Sequence, residues 1–374
     1  MNKFKYYFIL TFATLAIFSC SKSDSADVEP LRDFQVQYDA DIAVIEDYLK
    51  TNTITITEAA GKPEDQDVKI KLITKPNEEK SIWFYLNSPT FPTLKVKTVN
   101  LHNVDYKLYY LVLREGTGES PSNVDGVLSS YNGTYLFRKA GATTTDPSVV
   151  TATQFEEIVF PQTFYDLYQM VKGWGETFPE FKVGTSDPGN NGTIVYNDFG
   201  AGVMFLPSGL GYYAGGSGSI PSYSPLVFSF KLYALQRLDH DGDGVFSYQE
   251  DKDGDGYVRD MRNATEYPKQ LPNPDDTDGD GIPDFLDVDD DGDGYTTKFE
   301  ITKPAGSPGA SKYYPYDPIL IDNPLTPVDE REPRGIPQFA KLGEEPDYTS
   351  PKRLRIHVDK DHHTATPVVP VKKP

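Results

Sequence analysis

The chain has 374 residues, more than one typical domain and fewer than three, so one well-built core with accessory segments is expected. Its 36 basic and 56 acidic side chains leave a net charge of −20, which argues against nucleic acid as a partner and makes metal cations the natural counter-charge. A hydrophobic content of 38%, with 25 Tyr and 21 Phe, can furnish a core, while 30 Gly and 30 Pro imply many turns and disfavour a helical bundle.

The single cysteine excludes an intrachain disulfide. It closes an N-terminal export signal: Lys3 and Lys5 precede an apolar run over residues 6–18, and Ile17-Phe18-Ser19-Cys20 leads into polar Ser21-Lys22-Ser23-Asp24. The run is shorter than the about 20 apolar residues a membrane-spanning helix needs. Ser19-Cys20 resembles the lipobox of bacterial lipoproteins. The resemblance implies cleavage after Ser19, acylation of Cys20, and a lipid anchor in the cell envelope, with Ser21 favouring the outer membrane. Two or three acyl chains, at about 0.8 kcal/mol per buried methylene, hold firmly.

Within residues 20–68, a polar leader to about Pro30 is followed by one short amphipathic helix over residues 38–50, with Ile42, Ile45 and Leu49 on one face. Its expected role is scaffolding. From residue 69 the pattern turns to period two, as in Val68-Lys69-Ile70-Lys71-Leu72 and Leu108-Tyr109-Tyr110-Leu111-Val112-Leu113, which predicts strands. The β-rich block extends to residue 237, broken by a predicted helix over residues 164–170 and ending on the strand at residues 226–232. Residues 238–300 form an acidic segment, with 20 acidic and 5 basic side chains between Asp239 and Glu300. Residues 301–374 are rich in proline and tyrosine and are expected to be partly irregular, with one predicted strand over residues 354–358.

The β-rich block carries no nucleophile elbow, zinc cluster or phosphate loop. Aromatic residues recur beside its tight turns, and there the chain resembles the FKBP-type peptidyl-prolyl cis/trans isomerases. Tyr131-Asn132-Gly133-Thr134 matches the family's tyrosine strand, and Met170-Val171-Lys172-Gly173-Trp174 its Val-Ile-x-Gly-Trp helix end. Leu206-Pro207-Ser208-Gly209-Leu210-Gly211-Tyr212-Tyr213 matches the Ile-Pro-x-x-Leu-Ala-Tyr-Gly loop, and Ile220-Pro221 with Pro225-Leu226-Val227-Phe228 the closing strand. The matches follow the family's order over roughly residues 100–237. They imply an α+β fold, a curved antiparallel sheet wrapping a short helix, over residues 69–237.

The resemblance further implies a proline-sized apolar cavity with Trp174 as floor and Tyr131, Met170, Val171 and Phe228 as walls. Tyr212 would offer its hydroxyl to a peptide carbonyl, and Ile220 would sit at the rim. The family's Phe-Asp pair is matched by Phe155-Glu156, one methylene longer and reached after an insertion over residues 140–153. Tyr213 stands where the family has glycine. The substrates implied are proline-containing polypeptides. Rotation about an X–Pro bond faces a barrier of about 18–20 kcal/mol without any proton transfer or nucleophile. An apolar site that favours the twisted amide by about 7 kcal/mol would accelerate it about five decades.

In the acidic segment, Asp239, Asp241, Asp243, Ser247 and Glu250 occupy positions 1, 3, 5, 9 and 12 of a twelve-residue loop with Gly244 at 6, the EF-hand calcium pattern. Asp289, Asp291, Asp293, Thr297 and Glu300 repeat it, as do Asp276, Asp278, Asp280, Asp284 and Asp287 with aspartate last. Asp251, Asp253 and Asp255 begin a less complete loop. The tandem run with Ile282-Pro283-Asp284 at its middle resembles thrombospondin type 3 repeats, which implies structural calcium and no organic cofactor. His240 falls at a non-ligating position and is expected to face solvent. His362-His363 is too small a cluster for a zinc site.

Two functional readings follow. One is a lipid-anchored prolyl isomerase assisting the folding of exported proteins, with a calcium-stiffened C-terminal segment. The other is a catalytically weak or inactive peptide-binding surface protein on a calcium-dependent stalk.

Overall fold

The computed structural model describes residues 30–140, 148–189, 194–269, 271–323 and 326–367. The export signal and Cys20 lie outside them. In chain order the elements are α1 (Phe34–Thr51), β1 (Asn52–Ile56), β2 (Val68–Leu72), β3 (Thr93–Leu101), β4 (Val104–Arg114), β5 (Gly126–Lys139), β6 (Val149–Ile158), β7 (Tyr165–Asp166), α2 (Lys172–Thr177), β8 (Thr185–Pro188), β9 (Ile194–Asn197), β10 (Gly200–Leu206), β11 (Leu226–Gln236) and α3 (Thr297–Glu300). The main sheet is antiparallel throughout, in the order β3-β4-β10-β11-β5-β6, with β7 pairing the start of β5. The α+β class expected from the sequence is the one the chain forms.

Strand β4 shows how the sequence builds this sheet. From Val104 to Leu108 buried and exposed residues alternate, whereas every residue from Leu108 to Leu113 is buried. The alternating part has one covered face and the continuous part has two. On one face Tyr106, Leu108, Tyr110 and Val112 pack with Trp174 and Phe178 of the α2 region and with Phe181. On the other, Tyr109, Leu111 and Leu113 meet Ile45, Tyr48 and Leu49 of α1, with Ile82, Leu94 and Phe205. Helix α1 therefore seals the sheet's second face. It starts earlier than the periodicity suggests, at Phe34, whose ring stacks on His102 at 3.9 Å and packs on the first core, which Tyr38 also reaches edge-on to Tyr106.

Strands β1 and β2 pair only with each other, so a division at residue 68/69 would cut this hairpin. Residues 164–170 are not helical: Tyr165 and Asp166 extend to pair with Val127 and Gly126, and the Asp166 carboxylate then accepts from Tyr168 N at 3.0 Å to close a turn. The helix begins one turn later, at Lys172. Residues 354–358 do not form a strand either. Their alternation arises because the Arg353 and Arg355 guanidinium groups both turn inward, to Tyr316 O and the Asp317 carboxylate, while Ile356 is fully buried with Val245, Ile301, Tyr314 and Ile336. The tail thus has a small core of its own shared with the acidic segment.

The acidic segment docks on the sheet and on the turn leading into α2. Asn123 holds Val258 by two hydrogen bonds, Nδ2 to Val258 O at 2.6 Å and Oδ1 from Val258 N at 3.0 Å. The Tyr168 hydroxyl donates to Asp260 at 2.9 Å, Lys172 pairs with Glu266 at 2.9 Å, and Phe285 packs edge-on against Tyr168. His240, expected to face solvent, is instead tucked between Ser247, Asp166, Tyr168 and Phe285.

One polar contact ties α1 to the loop that carries Tyr212. The buried Asp41 carboxylate accepts from Ser208 N at 2.7 Å, from Ser208 Oγ at 2.5 Å and from Gln37 Nε2 at 2.6 Å. Helix α1 is therefore a buttress of that loop as well as a cover for the sheet. Asp41→Ala removes the acceptor of the buried Ser208 N–H and hydroxyl and should lower the unfolding free energy by about 1–3 kcal/mol. Asp39→Ala, at an exposed position on the same helix, should change it by less than about 0.5 kcal/mol in the same urea titration.

Candidate functional site

Trp174 sits in the first turn of α2, where its N–H donates to Val171 O at 2.8 Å. Four rings close on the indole: Tyr131 at 5.1 Å, Phe178 at 5.2 Å, Phe228 at 5.4 Å and Tyr165 at 5.8 Å between centroids, three of them nearly perpendicular to it. Edge-to-face contacts of this kind suit aromatic quadrupoles. The indole is 0% exposed, so it does not line an open floor as expected. Its Nε1 is buried without a hydrogen-bond partner among the described residues.

The reachable surface belongs to the residues around it. Phe155, Tyr165, Met170 and Val171 are half-buried and pack on the same core, and Tyr212 is 36% exposed in the turn that follows the 3₁₀ segment Ser208–Leu210. Ile220 and Phe228 are buried beneath them. Tyr131, Phe155, Met170, Val171, Trp174, Ile220 and Phe228 thus belong to one core cluster, with Glu156 hydrogen-bonded to Tyr131 and Tyr212 at the rim. Tyr165 belongs to the group as well. Sequence reading missed it by placing it in a helix, where it would have faced elsewhere.

Strand pairing explains the placement of Phe155 and Glu156. Opposite β5, Gly133 pairs with Glu156 and Thr134 with Gln154, so Phe155 is the extra residue of a β-bulge. The bulge lays the Phe155 ring across Gly133 and against Phe228, at 5.6 Å between ring centroids. Gly133 is required for this approach, since a Cβ there would lie 2.5 Å from Phe155 Cζ. Glu156 then turns back to accept a 2.6 Å hydrogen bond from the Tyr131 hydroxyl. Burial and this carboxylate hold the Tyr131 phenol far above its ordinary pKa. Tyr212 is also raised, first by burial and then by Glu156, so its hydroxyl stays a donor at neutral pH.

Tyr213, in place of the family's glycine, takes a positive φ of 44° and stacks on Phe34 at 4.3 Å. A roomier cleft of about 710 Å³, lined by Phe160, Ile194, Tyr196 and Tyr233 among others, includes none of the nine expected residues.

The acidic loops share one backbone design. Gly244, Gly256 and Gly281 each donate to the first aspartate of their loop, as does Gly294, at 2.8–3.1 Å. All four glycines have φ between 87° and 106°, which favours glycine. Each set of first, third and fifth aspartates (Asp239, Asp241 and Asp243; Asp251, Asp253 and Asp255; Asp276, Asp278 and Asp280; Asp289, Asp291 and Asp293) brings carboxylate oxygens within 4.8 Å of one another. That spacing fits oxygens around a calcium ion at about 2.3–2.6 Å each.

Burial makes the case for a cation stronger. Both oxygens of Glu250 and of Glu300, and one each of Asp241, Asp243, Asp289 and Asp291, are buried without partners. Burial, with neighbouring carboxylates, pushes Glu300 up to about 9, Asp241 to about 8 and Asp243 to about 7. Desolvated carboxylates of this kind need a positive partner.

The ninth positions depart from the expected ligand pattern. Ser247 Oγ accepts from His240 N and meets His240 Nδ1, and both Asp284 oxygens accept from Thr277. Thr297 lies against Asp243 of the first loop and Asp290 of its own. Asp287 lies near Asp278 and Asp280. Three further carboxylates approach the loops unforeseen: Asp275 beside Asp251, Asp253 and Asp255; Asp290; and Asp359 of the tail beside Asp291 and Glu300. None falls at a ligating position of the twelve-residue register, so only the folded packing brings them in.

Known proteins resemble parts of this chain. A family model described as BamM C-terminal matches residues 240–328, most of the acidic segment and the start of the tail. The FKBP-type peptidyl-prolyl cis-trans isomerase FkpA of Aeromonas hydrophila is 29% identical over 180 residues, which span 48% of this chain and 57% of that protein. The match thus covers little more than half of the relative's length. Among solved structures, a peptidyl-prolyl cis-trans isomerase from Pseudomonas syringae pv. tomato is 22% identical over 35% of this chain and 76% of its own, with a TM-score of 0.25. FkpA from Escherichia coli is 24% identical over 40% and 54%, with a TM-score of 0.26. The chain is therefore similar in sequence, over about half its length, to an FKBP-type isomerase.

The Gly133–Phe155 contact is directly testable. Gly133→Val should lower the unfolding free energy by about 1–3 kcal/mol through overpacking. Adding Phe155→Ala to that variant should recover most of the loss, because the clashing ring is gone. Equal losses with and without Phe155 would show that the bulge does not press on Gly133.

Proposed function

We propose that this chain is a peptidyl-prolyl cis/trans isomerase of the bacterial cell envelope, anchored through Cys20, that turns X–Pro bonds in exported polypeptides. The observation that carries the reading is the aromatic cluster around Trp174, with the Tyr131–Glu156 hydrogen bond beneath it and the half-exposed Tyr212 hydroxyl at its rim. Similarity to an FKBP-type isomerase supports it.

The chemistry asked of such a site is modest. Phe155, Tyr165, Met170 and Val171 offer a prolyl ring an apolar surface, which favours a twisted amide over the more polar planar one. The Tyr212 hydroxyl would donate to the substrate carbonyl as the amide turns. Trp174 acts from below by fixing the rings, and the one nearby carboxylate, Glu156, is held by Tyr131 and moves no proton. The full chain should accelerate cis/trans relaxation of a proline peptide, and Tyr212→Phe should slow it about tenfold, with the fold intact. A wild-type rate equal to buffer rejects the enzyme reading. The fully buried indole favours a second reading, a peptide-binding module without turnover, which predicts peptide binding at that uncatalysed rate.

For the acidic segment the reading is structural calcium. Its support is the hydrogen-bond register repeated in four loops and the buried carboxylates without partners. Here Asp239, Asp241, Asp243 and Glu250, and Asp289, Asp291, Asp293 and Glu300, would hold ions most completely. Calcium would offset carboxylate repulsion and keep the segment docked against the turn before α2. Chelation by EGTA should lower the thermal midpoint of the full chain and open residues 239–300 to protease. Unchanged protease resistance in EGTA would remove calcium from the structural account.

A further inference from the structure

Asp290 occupies the second position of the fourth loop, where the twelve-residue register has no ligand, yet it is 1% exposed. Neither of its carboxylate oxygens has a hydrogen-bond partner among the described residues. It meets two carboxylates of the first loop, Asp243 at 2% exposure and Glu250 at 6%, with oxygens of all three within 4.8 Å of one another. Glu250 likewise has both oxygens without partners, and Asp243 has one. The Thr297 hydroxyl, fully buried and also without a partner, lies against Asp243 and Asp290.

Three carboxylates this close, out of water, cannot all stay ionised without a counter-charge. Arg353 and Arg355, which line the same cavity as Glu250 and Asp290, are engaged by Tyr316 O and the Asp317 carboxylate, and Lys298 gives its ammonium to Gly242 O at 2.8 Å. That bond is itself a bridge from the fourth loop to the first, as is the approach of Ile301 to Gly244.

We infer that Asp290 joins Asp243 and Glu250 as a ligand of one divalent cation, which staples the first acidic loop to the fourth. An all-oxygen, carboxylate-rich donor set points to a hard ion of the calcium class. Asp290 lies 47 residues from Asp243 and 40 from Glu250 in sequence, so one shared ion would close a long loop of chain. The inference rests on the calcium reading of the segment and adds to the first loop's ion a ligand that its own twelve-residue register does not specify.

The test uses the full chain stripped of metal by EGTA, with calcium alone as the probe, and compares Asp290→Asn with wild type. The variant should bind one ion fewer by native mass spectrometry, or bind one ion about tenfold more weakly by calorimetry. Without metal it should melt higher than wild type, because an unpaired buried charge is gone, and it should gain less on calcium addition. The same ion count and the same affinities in both proteins overturn the inference while leaving calcium in the loops. No calcium bound by wild type overturns the broader reading along with it. Should the variant not fold, hydrogen exchange of wild type decides: amides of residues 243–250 and 284–291 should become protected at one calcium midpoint. Two separate midpoints overturn the staple.

Discussion

The packing of four aromatic rings on the Trp174 indole organises the face of the sheet on which the candidate site lies. Each ring comes from a different stretch: Tyr131 from β5, Tyr165 from β7, Phe178 from the turn after α2, and Phe228 from β11. Loss of the indole would leave a cavity worth about 3–5 kcal/mol. Helix α2 has only six residues and would be marginal alone, so it owes its place to this burial rather than to helix propensity. The rings that a ligand can reach, Phe155 and Tyr165, are held by neighbours that it cannot.

A second constraint comes from outside the sheet. The turn before α2 is gripped by the acidic segment through Tyr168, Lys172 and the edge of Phe285. Glu176, near the end of the same helix, pairs with Lys97, which also meets Tyr257 of the second acidic loop. The stretch carrying Met170, Val171 and Trp174 is thus clamped on both sides, by the sheet within and by the acidic loops without. That segment has little apolar core, chiefly Val258 and Phe285 with Val124 of the sheet domain. Its shape is instead written in Asx turns, where each loop's aspartates accept from its own backbone.

Much of this was legible in the residues themselves. Period-two stretches gave the strands, and the repeated Asp-x-Asp-Gly-Asp-Gly spacing marked the loops. What stayed hidden was what depends on register and distant packing. The bulge at Phe155 is a one-residue slip between β5 and β6, invisible to a pattern that does not know the pairing. Tyr165 reads as helix because its neighbours are apolar at mixed spacing, and only pairing to Val127 makes it a strand. The alternation of Arg353, Arg355 and His357 mimics an edge strand, while all three side chains are buried around a 3₁₀ turn. Asp290 looks like one more acidic residue in an acidic run until the first loop folds against it.

The division of charge matches the two roles proposed for the parts. Turning an amide needs neither acid nor base, and Glu156, the carboxylate beside the aromatic cluster, is tied to a phenol. The acidic segment concentrates 20 of the chain's 56 acidic residues, where a cation can meet them. Field alone would be a poor link between the two, since exposed charges are screened within about 8 Å at physiological ionic strength. Bound cations would weaken that field further. Any influence of the loops on the rings must therefore travel through the contacts at Asn123, Tyr168, Lys172 and Glu176. These are direct hydrogen bonds, ion pairs and ring packing, and so a mechanical rather than an electrostatic connection.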